Sequence, residues 1–282
     1  MKKLVLVALF VILSTSFISA QTFNLNGINA EAHVFAGMNI PTQDVSKDQF
    51  KFDYMRLHVD LSNDQIKVQF RHDFSSGKIQ LANVSKTFGN FTVTAGRFLD
   101  PIWYLFPAPH MMSQTAYASS VNSFTVLDDG ISMQYDDVFN DKKVTARISV
   151  FDCDGNRNVS ASVDVTLSEG THIGYFLQTR GNKKGFGLMA KSAFHSLLNV
   201  EGGIVSRPTS SSAPVEFYAQ NQAKLTDKIS VWLQGDFEAN SSTTNTVRTM
   251  VGAAYQYSTN SHLKLFYNFT EKLVVAKVTF FL

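Results

Sequence analysis

The residues from Lys272 to Leu282 alternate with a period of two. Val274, Ala276, Val278, Phe280 and Leu282 form one apolar file, and Val275, Lys277, Thr279 and Phe281 form the other. Successive side chains of a strand point to opposite faces, so this is a β pattern and not a helical one. The stretch runs out on Phe-Phe-Leu with no polar tail. In water such an edge is a liability, because unpaired N–H and C=O groups recruit other chains. In lipid it is tolerated, provided that a first strand pairs with the open edge and closes the sheet. The expectation is an all-β chain forming a transmembrane antiparallel β-barrel.

The same period recurs along the chain. Met55, Leu57, Val59 and Leu61 alternate with Arg56, His58 and Asp60, and Ile66, Val68 and Phe70 with Lys67, Gln69 and Arg71. From Ile28–Asn39 to Lys272–Leu282 the pattern gives about sixteen runs of about ten residues, the length of a tilted membrane-crossing strand. Residues 1–20 differ. Lys2 and Lys3 precede an apolar run from Leu4 to Leu13, and small and polar residues lead to Ala20. This is the pattern of a secretory signal peptide cleaved before Gln21, with residues 21–282 as the barrel. Its apolar core is short for a membrane helix, and no later stretch reaches the ~20 apolar residues a helix needs.

The links between strands sort by parity. With the first strand starting in the periplasm, one set contains Ser62–Asp64, Phe88–Asn90, Phe139–Asp141 and Glu169–Gly170, all short. The other contains Ile40–Gln49, Leu99–Asp128, Asp152–Asn158, Pro208–Ala213 and Asn240–Asn245, longer on average. Short periplasmic turns and longer outer loops are the habit of outer-membrane barrels. Phe74, Phe88, Phe98, Phe139, Phe151 and Phe269 fall near strand ends, where interfacial girdles lie.

The final strand resembles the C-terminal strand of bacterial outer-membrane proteins, which usually end on Phe or Trp where this chain has Leu282. From Phe50 to about Ser113 the chain resembles the phosphate-selective porin group, the OprO/OprP type. The resemblance is carried by Met55 to Val59, Gln69 to Phe74, Leu81 to Val84 and Gly96-Arg97-Phe98-Leu99-Asp100-Pro101. It implies a water-filled channel, a constriction by the third outer loop, and a homotrimer. By parity that loop is 99–128, with Trp103, Tyr104, Phe106 and His110 among its residues. It contains no Lys or Arg, so weak anion preference or general diffusion is expected rather than specific phosphate binding.

The lumen-facing file by parity includes Arg56, Lys67, Arg71, Lys143, Arg147, Arg180, Lys191 and Arg248, with Arg97 at the base of the long loop. Lys224, Lys264 and Lys277 share that file. Its acidic members, Asp60, Asp73, Asp136, Asp164, Glu201, Glu216 and Asp236, are fewer. A positive lumen attracts small anions through its summed field. The expected partners are outer-membrane lipid and small hydrophilic or anionic solutes. The formal net charge of +2 gives no reason to expect nucleic acid.

No catalytic, metal or cofactor site is expected. Asp152-Cys153-Asp154-Gly155-Asn156 opens like a calcium loop but lacks the closing Glu. The histidines have no metal-ligand spacing, and neither a phosphate loop nor a Gly-x-Ser-x-Gly elbow occurs. The single cysteine, Cys153, permits no internal disulfide. Two alternatives remain open: a plugged barrel acting as a surface receptor or adhesin, and a soluble secreted β-sandwich.

Overall fold

The computed structural model describes residues 21–25, 27–41, 51–99, 127–153, 156–181, 183–195, 198–206, 215–239, 246–258, 261–270 and 272–281. Among these the chain forms seventeen strands and no helix. They are β1 (Gln21–Leu25), β2 (Ile28–Pro41), β3 (Lys51–Ser62), β4 (Ile66–Asp73), β5 (Lys78–Phe88) and β6 (Phe91–Leu99). Next come β7 (Leu127–Phe139), β8 (Lys142–Cys153), β9 (Asn156–Ser168), β10 (Thr171–Arg180), β11 (Lys183–His195) and β12 (Leu198–Ser206). The last are β13 (Val215–Lys224), β14 (Ile229–Ala239), β15 (Thr246–Ser258), β16 (Ser261–Asn268) and β17 (Leu273–Phe281).

Each strand from β2 to β16 pairs antiparallel with the next in sequence, and β17 returns to pair with β2 from Val275↔Pro41 to Phe281↔Phe35. The result is one closed ring rather than the two stacked sheets of a sandwich. β17 leaves the first half of β2 uncovered. β1 covers it, from Gln21↔Ala32 to Leu25↔Ile28. β1 and β17 therefore share the edge of β2. The five residues of β1 are too few to show a period, so the sequence pattern begins the first strand at Ile28.

The hairpins at one rim are tight, and local chemistry explains them. Asn140 and Asp141 both have positive φ (49° and 59°), as a two-residue turn matched to strand twist requires. Asn63 Oδ1 accepts from the backbone N–H groups of Gln65 and Ile66 at 3.0 and 2.7 Å, closing the β3–β4 turn. The opposite rim carries the longer links, 42–50, 100–126, 207–214 and 240–245, which lie outside the described residues. One of its links is shorter than the sequence suggests. β8 and β9 extend until only residues 154–155 separate them, so the Asp152–Asn158 loop is a hairpin end. β10 and β11 are separated only by 181–182.

Alternation along each strand sets the two faces. Leu265 is 54% exposed while its neighbours Lys264 and Phe266 are 1% and 3% exposed. Ile131, Ile148, Leu177, Leu188, Leu233 and Val251 share the exposed apolar file. Phe74, Phe88, Phe139 and Phe269 are also exposed, near strand ends. Phe98 and Phe151 are buried and do not belong to any outer girdle.

Gly96 fixes one point of the wall. Its φ is +110°, and a Cβ there would stand 2.3 Å from the backbone oxygen of Ala82. Only glycine accepts both conditions. Gly96→Ala is expected to destabilise the barrel by about 1–3 kcal/mol. Gly235→Ala, where nothing lies within 4 Å, should change it by less than about 0.5 kcal/mol. Urea unfolding of the two variants beside the parent checks the difference.

Candidate functional site on the inner wall

The inward file of β3 to β5 carries a connected set of charges. Arg56 Nε donates to Asp73 Oδ2 at 3.1 Å. Asp73 is also held by Gln80 Nε2 at 2.8 Å and by the Ser75 backbone N–H at 3.0 Å. Lys67 Nζ lies 2.9 Å from Asp60 Oδ2, and Gln69 Nε2 donates to Asp60 Oδ1 at 3.2 Å. Arg71 Nε donates to His58 Nδ1 at 3.0 Å, and His58 Nε2 lies 2.5 Å from Asp60 Oδ1. Because a guanidinium can only donate, His58 Nδ1 must offer a lone pair. His58 is thus the neutral tautomer with its proton on Nε2, directed at Asp60. Arg71 leans on a neutral ring, while Arg56 and Lys67 each meet a carboxylate.

The neighbouring wall continues the pattern with weaker charge. Arg147 Nη2 donates to Gln134, which donates in turn to Asp136, and Thr145 Oγ1 donates to Asp136 at 2.6 Å. Ser149 Oγ donates to Ser132 Oγ at 2.9 Å. Lys143 pairs in register with Thr166, and Lys191 with His172 and Glu201, all on the inward file. In backbone register Arg180 pairs with Lys183, and Arg248 with Asp236.

Arg97 departs from the expectation. It pairs in register with Ala82 and Asp129, on the outward file that Ile131 continues. Its Nε and Nη2 donate to Asp129 Oδ1 and Oδ2 at 3.1 and 3.2 Å. Arg97 is therefore a rim ion pair and not part of the lumen. The lumenal expectation comes from its place at the base of the long loop, whereas alternation with the cavity-lining Thr92, Thr94 and Phe98 turns Arg97 outward. Trp103, Tyr104, Phe106 and His110 lie outside the described residues.

A cavity of about 630 Å³ opens under β4 to β8. It runs from the tight β3–β4 turn, with Asn63 and Gln65, past Lys67, Gln69, Arg71, Asn83, Ser85 and Thr94 to Gln134 and Arg147. Leu81 and Phe98 form its apolar end.

The far side of the ring is different. Phe176, Met189, Trp232, Met250 and Phe266 are inward and nearly fully buried. Trp232, Met250 and Phe266 form one cluster, with the Trp232 and Phe266 rings 5.9 Å apart. Each large ring lies across a glycine on the next strand. Phe176 pairs in register with Gly187, and Trp232 and Phe266 both pair with Gly252. A Cβ on Gly252 would lie 2.4 Å from Trp232 Cζ2 and 2.7 Å from Phe266 Cβ. Counting charges along the inward file overlooks this half of the wall. Its sequence signal is glycine in the inward phase, as in Gly185-Phe186-Gly187-Leu188-Met189.

Among the described residues no group of three or more His, Cys, Asp or Glu is placed to hold a metal ion. No protein-family profile matches the chain, and no curated protein matches it by sequence. Solved structures do match. A triple mutant of Rhodopseudomonas blastica porin matches with a TM-score of 0.62 at 12% identity, over 90% of this chain and 100% of that one. A multiply substituted variant of Rh. blastica porin reaches 0.64 at 12% identity, over 90% and 100%. A structure described as "Asymmetric conductivity of engineered proteins" reaches 0.65 at 13% identity, over 90% and 99%. At these identities the likeness establishes a porin-type barrel fold. It supports that fold in general and not the phosphate-selective group in particular.

Gly252→Ala should cost about 1–3 kcal/mol, because Phe266 Cβ sits close to its own backbone and cannot swing away. Urea unfolding followed by tryptophan emission checks this, since Trp232 lies against the new methyl group.

Proposed function

We propose that this chain is an outer-membrane porin, a water-filled channel for passive diffusion of small hydrophilic solutes. The observation that carries the reading is the closed ring with apolar side chains on its outer face and charged, amide and hydroxyl side chains inside. A closed ring satisfies every backbone group without water, which is what crossing hydrocarbon by strands demands. The signal-peptide pattern of residues 1–20 supplies the export route. The fold likeness to Rhodopseudomonas blastica porin supports the same reading, and the resemblance to porins suggests a homotrimer. Diffusion makes and breaks no bond, so no catalytic group is assigned.

The channel has a weak anion preference on this reading. Asp60 and Asp73 compensate Lys67 and Arg56, so the field depends most on Arg71, held by neutral His58, with Arg147 across the cavity. The buried wall around Trp232, Met250 and Phe266 favours one rival, a barrel with a closed lumen acting as a receptor.

Planar bilayers separate the two. The full-length protein should give stepwise conductance, and a salt gradient should give a reversal potential of anion-selective sign. Absence of conductance steps from folded protein would favour the closed barrel. Joint replacement Arg71→Gln and Arg147→Gln should move the reversal potential toward zero or the cation side. An unchanged potential would show that neither guanidinium sets the field. A second prediction tests the outer face. Val251→Arg, at mid-strand on the exposed file, should destabilise the barrel by about 2–4 kcal/mol in lipid vesicles. An equal stability in lipid would mean that this face does not meet hydrocarbon.

A further inference from the structure

We propose that the cavity under β4 to β8 is a subsite for a polyhydroxylated carboxylate of sugar-acid size. This deepens the pore reading by naming the solute class and rests on it. The cavity, about 630 Å³, lies within the range of small-molecule sites.

The lining is dominated by groups that suit hydroxyls. Gln69, Asn83, Ser85, Thr94 and Gln134 supply both donors and acceptors, which alternate as sugar hydroxyls do. Asn83 makes the argument sharper. It is 5% exposed, and its Nδ2 donates to the backbone carbonyl of Arg97 at 3.0 Å. That bond fixes the amide orientation, since the flipped form would set two oxygens against each other. Asn83 Oδ1 is left buried on the cavity wall with no protein donor. A buried acceptor requires a partner; this oxygen has almost no accessible surface, so a solute hydroxyl supplies one where the neighbouring lining side chains move aside.

Two further features choose among solutes. Buried Leu81 and Phe98 offer an apolar end against which the C–H face of a sugar ring can lie. Inorganic phosphate has no such face. Arg71, held through Nε by the neutral His58 ring, supplies the positive charge that a carboxylate needs. Three cations line the cavity, but Lys67 is already engaged by Asp60 at 2.9 Å and Arg147 by the Gln134 amide, which leaves fewer free donors for a compact, doubly charged anion.

The test is block of single-channel conductance by sodium galacturonate, galactose and inorganic phosphate at matched ionic strength. Galacturonate should block at the lowest concentration. Asn83→Leu should raise its half-blocking concentration about tenfold, as loss of one buried hydrogen bond does. Arg71→Gln should remove the advantage of galacturonate over galactose. Phosphate or galactose blocking as well as galacturonate would overturn the proposal, as would a half-blocking concentration unaffected by Asn83→Leu. If that variant fails to fold, the galacturonate-to-galactose ratio in Arg71→Gln decides. A folded barrel without conductance would defeat the pore reading alone. Calorimetric titration of galacturonate into the detergent-folded protein would then decide the subsite, by binding or its absence.

Discussion

A β-strand's backbone must find hydrogen-bond partners along both edges, and the rest of this structure follows from how that demand is met. Fifteen successive antiparallel ladders leave only the outer edges of β2 and β17 open, and the β17–β2 ladder joins them. The join covers β2 only from Phe35 to Pro41. β1 covers Ile28–Ala32 on the same edge. Phe280 and Phe281 thereby pair in register with Ala36 and Phe35, within the seam.

Closure then divides the side chains. The pleat sends every second residue outward, so one register governs both the apolar outer face and the polar inner one. Inside, charges are managed pair by pair rather than left to face water singly. Arg56 with Asp73, and Lys67 with Asp60, lower the net field while retaining polarity. His58 serves as a spacer, accepting from Arg71 and donating to Asp60, so Arg71 keeps its charge without a carboxylate in direct contact. On the proposed channel reading, a lumen assembled in this way would carry a mild excess of positive charge despite its many lysines and arginines.

The two-residue period made the strands and their facing legible. It placed Arg56, Lys67, Arg71 and Arg147 on the inner wall, since alternation survives small errors at strand ends. Arg97 is expected in the lumen for another reason, its place at the base of the long loop. Thr92, Thr94 and Phe98 keep the inward phase of β6, so alternation itself turns Arg97 outward, where it pairs with Asp129. β1 escaped because five residues cannot display a period. The inward rings on the far side, which lie among buried Gln178, Gln234 and Lys264, escaped for another reason. Phe176, Trp232 and Phe266 occupy positions where polarity is expected, and their burial depends on Gly187 and Gly252 across the ladder. That is a cross-strand relation, invisible to any count made along one strand.

The unequal halves bear on how such a barrel controls what enters it. Strand number alone sets a wide ring, but the usable interior depends on what the inward side chains fill. On the β10 to β16 side, rings laid over glycines keep large apolar groups close to the wall and bury them. On the β4 to β8 side, short polar residues such as Ser85, Thr94 and Ser132 leave the cavity open. On the proposed channel reading, solvent and hydrophilic solutes would therefore be directed along one arc of the wall. The charges that a solute meets there are those of Arg71, Lys67 and Arg147, and not the average of the whole inward file. For this reason a tally of lumenal charges predicts selectivity less well than the identity of the few residues on the open arc.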